Sequence, residues 1–97
     1  MQSGESPAFD AETRQRIDAI LASFDGQETA ITAAGRENTR AVNRITRLVP
    51  LRRVGGETTF RRNIARYHVE GAEHELIIGA ERAGGGVWRL ISRWSDD

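Results

Sequence analysis

The chain has 97 residues, 38% hydrophobic and 29% charged, a size and balance that suit one small globular domain and exclude wholesale disorder. Cysteine is absent, which removes disulfide scaffolds, zinc knuckles, iron–sulfur clusters and thiol catalysis. Fourteen basic residues offset fourteen acidic ones, and no run approaches the roughly 18 apolar residues of a bilayer span, so a soluble, cytoplasmic protein without membrane contact is expected.

Residues 1–7 are small and polar and read as a flexible N-terminus ahead of a single α+β domain over 8–95. Ser6-Pro7 offers an N-cap and first helical position, with Asp10 as a competing cap. Thr13, Ile17, Ile20, Leu21 and Phe24 recur at helical spacing, so the first helix buries one stripe and ends near Phe24. Asp25-Gly26-Gln27-Glu28 has capping-box spacing. It predicts a second helix from about Gly26 to Val49, stopped by Pro50. Ile31, Asn38, Val42, Ile45, Leu48 and Val49 fall within roughly 60° of one direction. Gly35 is its weak point.

Leu51 to Glu57, with Gly55-Gly56, reads as a connector. From Thr58 the period changes to two. Phe60–Val69 reads as a strand whose apolar side chains change face between Ile64 and Ala65, suggesting a bulge or a twist there. A turn at Glu70-Gly71-Ala72 leads to a second strand, Glu73–Arg82. After Ala83 to Gly86, a third strand runs from Val87 to Trp94. The expected fold is α-α-β-β-β, two helices on a three-stranded antiparallel meander. The expected core is Ile17, Ile20, Leu21, Phe24, Ile31, Val42, Ile45, Leu48, Val49, Tyr67, Val69, Leu76, Ile78, Trp88, Leu90 and Trp94.

Charge is balanced in sum and uneven in place. Every basic residue is arginine. Residues 1–35 hold two arginines against six acids, residues 36–66 nine against two, and residues 67–97 three against six. A basic middle third points to a polyanionic partner or to packing beside the acidic thirds. Arg36, Arg40, Arg44 and Arg47 form a column on the second helix, opposite its apolar stripe, and Arg52 and Arg53 follow just beyond it. Such a column suits phosphates, which guanidinium groups grip bidentately. The competing reading is a solvated face, or one paired with acids of the first helix.

On the far face of the sheet, Arg62, Arg66 and His68, then Glu73, Glu75 and Glu81, then Arg89 and Arg93 form a cross-strand ladder. Phe60, Ile64, Ile77, Val87 and Ile91 share that face, which suggests a homodimer partner over it or membership of a larger complex. His68 and His74 flank a tight turn and read as surface histidines rather than metal ligands. Gly84-Gly85-Gly86 lies between strands and reads as a hairpin loop, not a phosphate cradle. No serine has a local base motif. Tyr67, Trp88 and Trp94 share one sheet face and form core or line a pocket. No cofactor or metal is expected.

Residues 59–94, closing in Gly-Gly-Val-Trp-Arg-Leu-Ile-Ser-Arg-Trp-Ser, resemble the closing strands of the nuclear-transport-factor-two-like (SnoaL-type) superfamily. That resemblance implies a cone-shaped pocket and frequent dimers. It also implies strands between the helices and the meander, for which the chain is expected to lack room. Ala65-Arg66-Tyr67-His68-Val69-Glu70-Gly71 after a basic helix is also similar to RelE/ParE-type toxins. That likeness implies a ribonuclease cluster, with Arg66, His68 and Arg93 as its candidates.

The leading expectation is a small non-catalytic binding module that contacts nucleic acid or an acidic protein surface through its arginine-rich helix. Its partner-binding residues are Arg36, Arg40, Arg44, Arg47, Arg52 and Arg53. The alternatives are a cone-type protein with a small-molecule pocket at Tyr67, Trp88 and Trp94, and a phage or mobile-element inhibitor acting by protein contact.

Overall fold

Asp10 starts the first helix: its side chain accepts a 2.8 Å hydrogen bond from the Thr13 amide, filling one of the donors a helix start leaves open. The computed structural model describes residues 9–97. The expected flexible segment 1–7 and the Ser6-Pro7 cap lie outside them. Helix α1 spans Ala11–Phe24 and buries Ile17, Ile20, Leu21 and Phe24, the stripe its spacing predicts.

The second helix begins later than expected. Gly26 adopts positive φ, a turn conformation that ends one element rather than opening the next. Glu28–Thr29 then forms a short strand, β1, and helix α2 spans Ile31–Thr46. The capping box is therefore not made. Asp25 instead binds Ser92, and Glu28 pairs with Arg89 at 3.1 Å.

The connector is a strand as well. Leu51–Thr58 forms β2, followed by β3 (Arg62–Val69), β4 (Leu76–Gly84) and β5 (Val87–Trp94). The three-stranded meander is thus part of a five-stranded antiparallel sheet in the order β1-β5-β4-β3-β2. The chain does have room for a strand between the helices and the meander. The α+β class stands; the strand count is corrected.

Gly55 and Gly56, which locally suggest a linker, have a use inside β2. A Cβ on Gly56 would lie 2.5 Å from Arg53 Nη2 and 2.8 Å from the Ile64 carbonyl oxygen. One on Gly55 would collide with the Arg66 guanidinium. The two glycines make room for one arginine on each face of the sheet. The bulge belongs here too: the pairing of β2 with β3 shifts between Arg53 and Gly55. The β3–β4 register runs without a break through Ile64 and Ala65, so the predicted bulge in β3 is ordinary alternation, Ile64 outward and Ala65 inward. The β3–β4 connection also extends to Glu75, which places Glu73 and His74 outside the strand.

The helices lie over β5 and β4, and the core sits between them. Ile17, Ile45, Val69, Leu76 and Leu90 are its most completely buried large side chains. Trp94 packs against Phe9, with ring centroids 5.5 Å apart, and its indole N–H donates to Asp18 at 2.9 Å. Tyr67 and Val42 are only half-buried. Two expected core residues are exposed, Ile31 at 44% and Leu48 at 36%. The buried side of α2 is instead Ala34, Ala41 and Ile45. The cause is α1. It packs along one flank of α2 and draws the buried stripe toward itself, leaving the other flank over the uncovered half of the sheet. Ala80, Ile64 and Ile77 join the buried set. Among the described residues, no helix is long and apolar enough to cross a membrane.

Candidate functional site

The arginine column is present on α2. Arg36, Arg40, Arg44 and Arg47 are exposed and follow one side of the helix over about 16 Å. Among the described residues, Arg40 alone of the four has an acidic neighbour, Glu37, at 3.5 Å. Among the described residues, no carboxylate comes within 4.0 Å of Arg36, Arg44 or Arg47. The acids of α1 and its flanks are engaged elsewhere. Asp10 caps α1, Glu12 holds Arg16 at 3.0 Å, Asp18 accepts from Trp94 and lies 3.8 Å from Arg14, and Asp25 holds Ser92. Pairing of the column by the first helix is therefore not what these side chains do. Arg44, in the last turn of α2, also suits the negative end of that helix dipole.

Arg52 and Arg53 do not extend the column. They sit in β2 and, as strand neighbours, point to opposite faces. Arg52 lies opposite His68, and Arg53 opposite Tyr67. Arg53 lines a cleft of about 180 Å³ between α2 and the inner side of β2 and β3. Tyr67 lines it as well. Trp88 and Trp94 do not. Trp88 is buried beneath Arg82, whose guanidinium lies 5.5 Å from its ring, and Trp94 is buried beneath Arg14, at 4.5 Å. The structure therefore separates the three aromatic residues.

The charge ladder forms on the outer face. Arg66 binds Glu75 at 2.8 Å, and Arg89 bridges Glu81 at 3.3 Å and Glu28 at 3.1 Å. Arg62 stands in register with Glu81; its Nε is buried without a hydrogen-bond partner among the described residues. Ile64 and Ile77 on this face are buried within the single chain. Ile77 is flanked in register by Arg66 and Arg93, whose long stems suit covering an apolar neighbour. Phe60 lies in the β2–β3 turn, 72% exposed, with the Arg82 guanidinium 4.0 Å from its ring.

Among the described residues, no group of three acidic or histidine side chains is arranged to hold a metal. His68 lies in β3. His74 lies in the following connection, 3.8 Å from Glu73 and 3.7 Å from Asp96. Gly84, the last residue of β4, and the two turn residues Gly85 and Gly86 all have positive φ, as a glycine hairpin loop requires.

Comparison with family models, with curated proteins and with solved structures returns no match.

Proposed function

We propose that the protein is a non-catalytic binding module that docks on nucleic acid through the exposed side of α2. The observation that carries this reading is the lack of carboxylate partners. Three of the four column arginines have none within 4.0 Å among the described residues, while nearby acids serve other contacts. Unpaired guanidinium groups keep their donors for phosphate oxygens. Zero net charge does not oppose this, because attraction follows the local field and the column is one-signed. Contacts of this kind position a protein on the backbone and carry no base code. The module would thus bind many sequences with similar affinity.

Fluorescence-anisotropy titration against labelled single- and double-stranded DNA and RNA tests the reading. Micromolar binding that weakens steeply with salt supports it. No binding at low salt overturns it and directs attention to an acidic protein partner.

A further inference from the structure

The cleft between α2 and the sheet is distinct from the arginine column. Its helix side is Asn38, Thr39 and Val42, roughly 150° around α2 from the column. Its sheet side includes Arg53, Tyr67 and Ile78. Three observations converge there. Among the described residues the Asn38 Oδ1 atom is buried and has no hydrogen-bond partner, an arrangement proteins avoid unless something supplies the donor. The Arg53 guanidinium lies over Gly56 and spends its Nε on the Gly55 carbonyl at 3.3 Å. Among the described residues no carboxylate lies within 4.0 Å of it. Tyr67 stands directly across from Arg53 on the same face, and both line the cleft. Val42 and Ile78 add apolar wall.

We infer that this cleft binds a small carboxylate that also carries a hydroxyl or amino donor. The carboxylate meets Arg53, the Asn38 amide turns into the cleft so that its Oδ1 meets the donor, and the body lies against Tyr67, Val42 and Ile78. A volume of about 180 Å³ sets the size: an engineered apolar cavity of about 150 Å³ holds a benzene ring, so one ring or a short branched chain fits. A carboxylate suits the planar fork of Arg53 bidentately.

Proton–nitrogen correlation NMR of the intact chain, titrated with para-hydroxybenzoate and with 2-hydroxy-4-methylpentanoate, tests the inference. At least one probe should give saturable shifts at Asn38, Thr39, Arg53 and Tyr67. The corresponding neutral amide should bind about tenfold more weakly or not at all. Arg53→Met should weaken binding about tenfold, with its spectrum away from the cleft confirming the fold. Asn38→Ala should erase the advantage of the hydroxylated probe over its unsubstituted analogue. No saturable shift with either probe overturns the inference. So does equal binding of the neutral amide, or a response centred on Arg36 and Arg44. The triple variant Arg36→Glu, Arg44→Glu, Arg47→Glu should bind the probe unchanged, which separates this site from the nucleic-acid reading.

Discussion

Asp25 accepts two hydrogen bonds from Ser92, one from its backbone N–H at 2.7 Å and one from its hydroxyl at 3.3 Å. The pair joins the end of α1 to the last strand, 67 positions away. It also protects an edge. Beyond β1, the outward amides of β5 would be open to another chain, and open edges invite strand addition. The Leu90 amide is taken by the Gln27 carbonyl, the Ser92 amide by Asp25, and the Trp94 amide by Asp97. Asp25→Ala should therefore destabilise the fold by about 1–2 kcal/mol. Thermal unfolding should show a midpoint several degrees lower, by about 4–8 °C per kcal/mol, with concentration-dependent aggregation. Asp25→Asn should recover part of the loss, because its amide oxygen still accepts.

The rotation of α2 toward α1 gives a direct mutational contrast. Ile45 is completely buried, whereas Ile31 is 44% exposed. Ile45→Ala should cost about 2–5 kcal/mol, in the range for large-to-small core changes. Ile31→Ala should cost about 1 kcal/mol or less, since much of that side chain already meets water. Urea denaturation of the two variants measures the difference. Equal losses would place the buried stripe where the sequence period alone puts it.

Asp10 gives the fold an acid limit. The Thr13 hydrogen bond holds its carboxyl below the usual carboxylate value. A carboxyl with a lower pKa folded than unfolded contributes stability that is present above the unfolded value, about 3.9. That contribution is lost as pH falls through the folded one. Asp10→Asn keeps a capping oxygen without the titration. Its melting temperature should fall less steeply than that of the parent as pH drops below about 4. Thermal melts across that range check it.

Salt dependence counts the arginines that touch phosphate. On duplex DNA the logarithm of affinity falls with the logarithm of salt at about −0.9 per phosphate contact, so four contacts give a slope near −4. Replacing Arg36, Arg44 and Arg47 with Glu should remove binding at a stability cost of about 1 kcal/mol at each of Arg44 and Arg47, which sit at the negative end of the α2 dipole, and less at Arg36. Anisotropy and denaturation of the same triple variant measure both. Retained binding would move the contact away from α2.

Local pattern was enough for the elements whose signals are local. The stripe of α1 and the alternation of β5 follow from periods of 3.6 and two, and a buried face enforces them. The arginine column on α2 was legible for the same reason: residues three or four apart on a helix share a side whatever surrounds it. The ladder from Arg66 and Glu75 to Glu81 and Arg89 followed from alternation and neighbouring strands.

What only the tertiary structure decided depends on partners distant in sequence. Two residues, Glu28 and Thr29, carry no period, and they are a strand because Arg89 and Trp88 lie beside them. Gly55-Gly56 has the composition of a linker and becomes strand because Arg53 and Arg66 need the space above each glycine. The buried side of α2 was set by the position of α1, which no pattern within α2 encodes. The cleft follows from that same rotation: helices drawn over β4 and β5 leave β2 and β3 uncovered, and there Arg53, Tyr67 and Asn38 meet from three separate elements.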